Sequence, residues 1–175
     1  MDRVSGRSIC HPGEVRHPPG AAVHVPDAFF VICGSGTEYG KLQTFVEAEK
    51  YSNFLLLSGL PRADYDKLVR SCHVGLLFLD HRFTIPNFPS RLLSYLQAGL
   101  PVIACTDPAT DIGDIAQAGG FGWKCPSDDP AAFVRTVERA CSADLAAMGD
   151  AGRMYFSAHY TAEQSYEIIM RGLER

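Results

Sequence analysis

Apolar residues fall in short solid runs, and the stretches between them carry apolar positions at helical spacing. The solid runs are 28–33 (AFFVIC), 53–57, 73–79 and 102–104. Runs of this kind, bounded by glycine, serine and proline, predict strands covered on both faces. Gly34, Ser35 and Gly36 close the first run, and Ser58 and Gly59 close the second. Helices are predicted over 38–48, opened by Thr37, and over 61–71, opened by Pro61, with Ala63, Tyr65, Leu68 and Val69 facing inward. A third is predicted over 91–98, with Leu92, Leu93 and Leu96 in step and Tyr95 beside them. Ser90 is expected to cap this helix by accepting from backbone N–H groups two or three residues on. Gly99 stands where a left-handed C-cap is wanted, and Pro101 prevents continuation. Helices over 111–118, 131–140, 143–158 and 162–173 complete the pattern, with Asp128 and Asp129 ahead of Pro130 and Thr161 ahead of the last. The run 121–124 reads as an edge strand because of its glycine and polar ends. Strands alternating with helices define an α/β class: a Rossmann-like parallel sheet with helices on both faces.

Residues 1–25 break this pattern. They hold Pro12, Pro18 and Pro19, three glycines, Arg3, Arg7 and Arg16, and three histidines, with apolar residues out of any period. The expectation is an irregular or disordered N-terminal arm over 1–25, a truncation product or out-of-frame remnant, followed by one domain over 26–175.

Composition narrows the partners. The chain has 175 residues, 46% of them hydrophobic and 21% charged, which suits a single soluble domain. A formal net charge of −4 offers no field for nucleic acid or an anionic membrane. No apolar run is long enough to span a bilayer, so the cytoplasm is the expected compartment. The six cysteines form no C-x-x-C pair and have no histidine at zinc-ligand spacing. Cys33, Cys72 and Cys105 read as small buried hydrophobes.

In parallel α/β sheets, ligands bind beyond the carboxyl ends of the strands. Gly34 and Gly36 follow a strand and precede a helix, which suits phosphate approach to the backbone. They lack the third glycine of a dinucleotide fingerprint, and a plain tight turn explains them equally well. The segment 80–91 gathers Asp80, His81, Arg82, Asn87, Ser90 and Arg91. It ends at a helix N-terminus, where exposed N–H groups favour an anion, and its arginines suit bidentate phosphate contact. A polar surface loop is the alternative. Asp111, Asp114, Asp128 and Asp129 read as helix-terminal charges, Trp123 as packing, and His159 and Tyr160 as residues packed ahead of the last helix.

Five pieces carry a resemblance in the right order: FFVICGSGTEYGKL, LLLSGLPRADYDKLVRSCHVGLLFL, NFPSRLLSYLQAGLPVIA, GFGWKCPSDDPAAF and AEQSYEIIM. Together they resemble the C-terminal, donor-nucleotide-binding half of the GT-B fold in group 1 (family four) glycosyltransferases that build bacterial surface polysaccharides. The resemblance implies retaining transfer from a nucleotide-diphosphate sugar, a UDP- or GDP-sugar, without a bound metal or other cofactor. It implies that Gly34 and Gly36 lie near the donor phosphate and ribose and that Leu60 and Pro61 flank the base. Asn87, Phe88, Pro89 and Ser90 would present N–H groups to the diphosphate, beside Arg91, with Ser94 at the ribose. It also implies a location in the cytoplasm, peripheral at the inner membrane, and a separate or missing N-terminal acceptor domain. Two departures stand out. Pro86 and Ser94 occupy the places of a glutamate pair, the second of which contacts the ribose. No segment matches the family's opening strand, glycine turn and basic pair; Arg7 after Gly6 is its only echo. The chain is therefore expected to be inactive alone. The alternatives are a non-catalytic nucleotide-sugar-binding module that needs a separate acceptor domain, and a sugar-nucleotide epimerase.

Overall fold

The computed structural model describes residues 6–10 as backbone and residues 25–36, 39–82 and 88–173 in full. Six strands form one sheet: β1 (Gly6–Cys10), β2 (Ala28–Cys33), β3 (Phe54–Leu57), β4 (Val74–Phe78), β5 (Val102–Thr106) and β6 (Gly122–Pro126). Their order is β3-β2-β1-β4-β5-β6, and every neighbouring pair is parallel. Seven helices accompany them among the described residues: α1 (Tyr39–Glu49), α2 (Arg62–Arg70), α3 (Arg91–Ala98), α4 (Ile112–Ala118), α5 (Pro130–Cys141), α6 (Leu145–His159) and α7 (Ala162–Leu173). The parallel sheet with helices on both faces is the architecture its solid apolar runs predict, and β6 does lie at an edge.

β1 corrects the reading of residues 1–25 as irregular. Gly6–Cys10 is a central strand, paired with β2 from Gly6↔Ala28 to Cys10↔Ile32 and with β4 at Ser8↔Val74 and Ile9↔Gly75. Its sequence GRSIC has no apolar run. Its place rests on backbone pairing to both neighbours, a cause that hydropathy does not register. A domain boundary at residue 25 therefore cuts through the sheet. Residues 11–24, Thr37 and Glu38 lie outside the described residues, and the expected Thr37 cap lies with them.

Each face of the sheet has its own core. One gathers Phe30, Ile32, Leu76, Ile103, Cys105 and Trp123 beneath α1 and α5, with Phe133 against Phe30 and Phe78. The other gathers Leu77, Val102 and Ala104 beneath α2, α3 and α4, with Leu92, Tyr95 and Leu96 fully buried. Tyr95 lies flat on β4 because Gly75 has no side chain: a Cβ there would sit 2.4 Å from its ring. Asp129 caps α5 by accepting from the Ala132 N–H at 2.8 Å, ahead of Pro130. Thr161 caps α7 by accepting from the Gln164 N–H at 3.2 Å. Gly99 ends α3 at φ 72°, the left-handed geometry expected of it. Outside this layer α6 packs on α3, and α7 buries none of its residues.

Candidate functional site

Strand order locates the site. Connections leave β1 to one side through β2 and β3 and leave β4 to the other through β5 and β6. That reversal opens a crevice outside the carboxyl ends of β1 and β4, where such folds take ligands. Because every strand is parallel, the polypeptide leaving β2, β3 and β4 emerges at this same carboxyl edge.

The first two exits lie side by side. The Gly34 N–H donates to the Leu57 carbonyl at 3.1 Å, continuing the β2–β3 ladder one residue past the end of β2. The Cys33 thiol donates to the Ser58 carbonyl at 3.6 Å, and the backbone of Leu60 hydrogen-bonds the same sulfur. A Cβ on Gly59 would lie 3.9 Å from Ser35 Oγ. The structure thus sets the turn that opens with Gly34 beside the 57–60 segment; no contact joins Gly36 to Pro61. Burial pushes the Cys33 thiol above its ordinary pKa, so it stays protonated near neutrality.

α3 forms the third wall, entered through Phe88, Pro89 and Ser90. The expected side-chain cap is absent: Ser90 has helical φ −54° and ψ −23° and makes no capping bond. A capping hydroxyl needs an extended backbone to fold back over the first turn. Here the Leu92 N–H is instead held by the Pro89 carbonyl at 2.9 Å, so backbone alone closes the turn. Ser90 and the exposed Ser94 share one face of the helix, four residues apart. Asn87 and Pro86 lie outside the described residues.

The two arginines of this region are not equivalent. Arg82 is committed to its own turn: its Nε and Nη2 hold the Asp80 carboxylate at 2.9 and 2.6 Å. Arg91, half-buried at the first position of α3, has no acidic side chain at salt-bridge distance among the described residues. It lies near the hydroxyl of Tyr65, a residue the sequence marked only as facing inward. The Tyr65 hydroxyl also hydrogen-bonds Tyr95, and it feels the Cys33 thiol. Burial pushes its pKa up, against the downward pull of the Arg91 charge and of the Tyr95 bond. Tyr65 therefore ties α2 to α3. Helical periodicity revealed its side of α2 but not this bridge.

At the β5 exit Asp107 is buried, and its carboxylate is fully engaged. It accepts from the Thr110 hydroxyl at 2.6 Å and from the Ala109 and Thr110 N–H groups at 2.8 and 3.1 Å. The Thr110 hydroxyl above all holds its pKa below the ordinary 3.8. No group of three or more His, Cys, Asp or Glu side chains among the described residues is placed to hold a metal ion.

This architecture has known relatives. Residues 21–153 match the family model for group 1 glycosyl transferases, and the chain belongs to that family. Its fold is that of the C-terminal half of GT-B glycosyltransferases. The probable glycosyltransferase WbjE of Pseudomonas aeruginosa is 25% identical over 140 residues, covering 80% of this chain and 35% of the relative. A solved structure of Anabaena Alr3699/HepE in complex with UDP superposes with a TM-score of 0.73 at 14% identity, covering 98% of this chain and 50% of that one. Sucrose-phosphate synthase from Thermosynechococcus elongatus gives 0.75 at 14% identity, over 99% and 46%. The chain thus spans about a third to a half of the length of these relatives.

Proposed function

We propose that this chain is the donor-binding half of a retaining glycosyltransferase of polysaccharide or glycoconjugate synthesis. Its donor is a UDP- or GDP-sugar, held in the crevice beyond β2, β3 and β4. One observation carries the reading: the N-terminus of α3 opens at the carboxyl edge of the sheet, with Arg91 in its first turn uncommitted to any acid among the described residues. Backbone N–H groups and a guanidinium there suit a diphosphate and stabilise it as it leaves. Gly34 and Gly36 let phosphate and ribose approach, and Leu60 and Pro61 cover the base. The UDP bound to the Anabaena relative supports this donor class. Ser94 is assigned to the ribose, in the place of the family's acid, and the reaction proceeds without a metal.

Thermal shift and calorimetric titration with UDP, GDP and UDP-glucose test the reading, since a ligand at 100 times its Kd adds about 2.7 kcal/mol of stability. Arg91→Ala should abolish the shift, whereas Ser90→Ala should leave it, because Ser90 contributes backbone rather than hydroxyl. Absence of a shift with every nucleotide would sink the proposal.

A second reading is that transfer needs an acceptor-binding domain supplied by further polypeptide or a separate chain, so that this half is inactive alone. It is favoured by the stripe Tyr166, Ile169, Met170 and Leu173 on α7, which is open to solvent, together with the greater length of the relatives. The work is done in the cytoplasm, peripheral to the inner membrane. No helix of the described residues is long and apolar enough to cross one.

A further inference from the structure

α6 touches α3 at both ends. At the C-terminal end of α3 the two backbones nearly meet. A Cβ on Gly149 would lie 2.2 Å from the Gly99 carbonyl oxygen, and one on Gly152 would lie 3.0 Å from the Leu96 side chain. The Arg153 guanidinium donates to the Ala98 carbonyl at 3.2 Å, and it occupies the space that a side chain on residue 99 would need. At the other end the contact is aromatic. The Phe88 ring, just ahead of α3, stands 5.3 Å from the ring of Tyr160, just beyond α6. Tyr160 in turn contacts Tyr155 at 5.9 Å and hydrogen-bonds its hydroxyl. Tyr155 rests 5.0 Å from the fully buried Phe121.

The spacing makes these two contacts one device. Gly149 and Tyr160 are eleven residues apart, and so are Phe88 and Gly99. At about 1.5 Å per helical residue the Gly149–Tyr160 span comes to roughly 16 Å, and α3 with its three-residue entry covers the same stretch, since both of its ends meet α6. α6 therefore runs antiparallel along α3 as a splint, fixed by backbone contact at one end and by a ring pair at the other. At this helix start no side-chain cap supplements the bond from the Leu92 N–H to the Pro89 carbonyl, because the Ser90 hydroxyl makes none.

We propose that Tyr160 is a positioning residue. It staples Phe88, and with it the Phe88–Ser90 entry to α3, so that the N–H groups at that helix start are already oriented before a ligand arrives. The proposal rests on the reading of this helix start as the diphosphate site. An aromatic pair worth ~0.5–1.5 kcal/mol corresponds to a factor of about 2–10 in the local opening equilibrium.

The test compares hydrogen exchange and UDP titration in the full chain for wild type, Tyr160→Ala, Tyr160→Phe and Phe88→Ala. The Leu92 amide, held by the Pro89 carbonyl at 2.9 Å, should exchange about 2- to 10-fold faster in Tyr160→Ala and in Phe88→Ala, and no faster when both changes are combined. Tyr160→Phe keeps the ring and should retain wild-type exchange. UDP affinity should fall by the same factor in the two alanine variants and hold in Tyr160→Phe. Exchange unchanged in Phe88→Ala, a variant outside the α6 core, overturns the staple even if Tyr160→Ala misfolds. Equal losses in Tyr160→Phe and Tyr160→Ala overturn it too, since the hydroxyl would then be the operative group. Faster exchange with undiminished UDP affinity overturns the positioning role. Failure of wild type to bind any nucleotide removes the underlying donor reading instead, and the exchange data record that separately.

Discussion

α3 and α7 are both short amphipathic helices, yet they meet opposite fates. α3 presents Leu92, Tyr95 and Leu96, all fully buried between β4, β5 and α6. α7 presents Tyr166, Ile169, Met170 and Leu173 at one-turn spacing and buries none, with Ile169 60% and Leu173 76% exposed. Glu167 and Arg171 pair on its polar side at 3.0 Å, so the helix is patterned for an apolar neighbour. Amphipathicity states that a helix has a face to cover. It does not state which polypeptide covers it.

The largest expected effect separates the two helices directly. Leu96→Ala should cost about 2–5 kcal/mol, because it empties a site walled on every side. Ile169→Ala on α7 should fall within about 0.5 kcal/mol. Denaturant midpoints measure both, and a comparable loss in the α7 variant would show that its stripe is already covered. Next comes the seam that shelters α3. Gly149→Ala puts a Cβ against the Gly99 carbonyl and should cost about 1–3 kcal/mol, because the obstructing atom is backbone and cannot swing aside. Arg153→Ala, which removes only a partly exposed side chain at the same seam, should cost less.

The smallest effect is conditional on pH. Asp107 lies in the turn between β5 and α4, and its folded pKa is depressed. Its contribution is therefore complete above its unfolded pKa of about 3.9 and is lost as pH falls through the lower folded value. Asp107→Asn should be less stable than wild type at pH 7, and the gap should narrow below about pH 4. A gap that persists unchanged at low pH would assign the effect to geometry rather than to the charge.

Much of this fold is legible in the chain, for reasons that differ by element. β2, β4 and β5 are solid apolar runs because both faces of a parallel sheet are covered, and burial writes itself into composition. Gly99 and Asp129 are legible because their positions demand left-handed backbone and a side-chain acceptor. β1 is not legible, since GRSIC earns its place through pairing with β2 and β4. The crevice between β1 and β4 was hidden with it. The site is legible in outline only. Gly34 meets Leu57, and Cys33 meets Ser58 and Leu60, because two strands pair in register, which spacing suggests. The Tyr65 bridge and the uncapped Ser90 depend on side-chain reach and backbone angles that no periodicity encodes. Arg82 and Arg91 look alike in sequence, and only coordinates show that Asp80 engages the first.

The central place of β1 also bears on how the molecule assembles. No ladder joins β2 to β4, so the pair β2–β3 and the trio β4–β5–β6 belong to one sheet only through five residues near the amino end. Those residues pair with β2 some twenty positions away, a closure no longer than β2–β3 or β4–β5, and with β4 some sixty-five positions away, the longest closure in the sheet and the one expected late in folding. Until they are made, two inner strand edges face solvent, each a template for pairing with a neighbouring chain. The first strand is thus a keystone, and the fate of a nascent molecule, folded or aggregated, turns on when it is set.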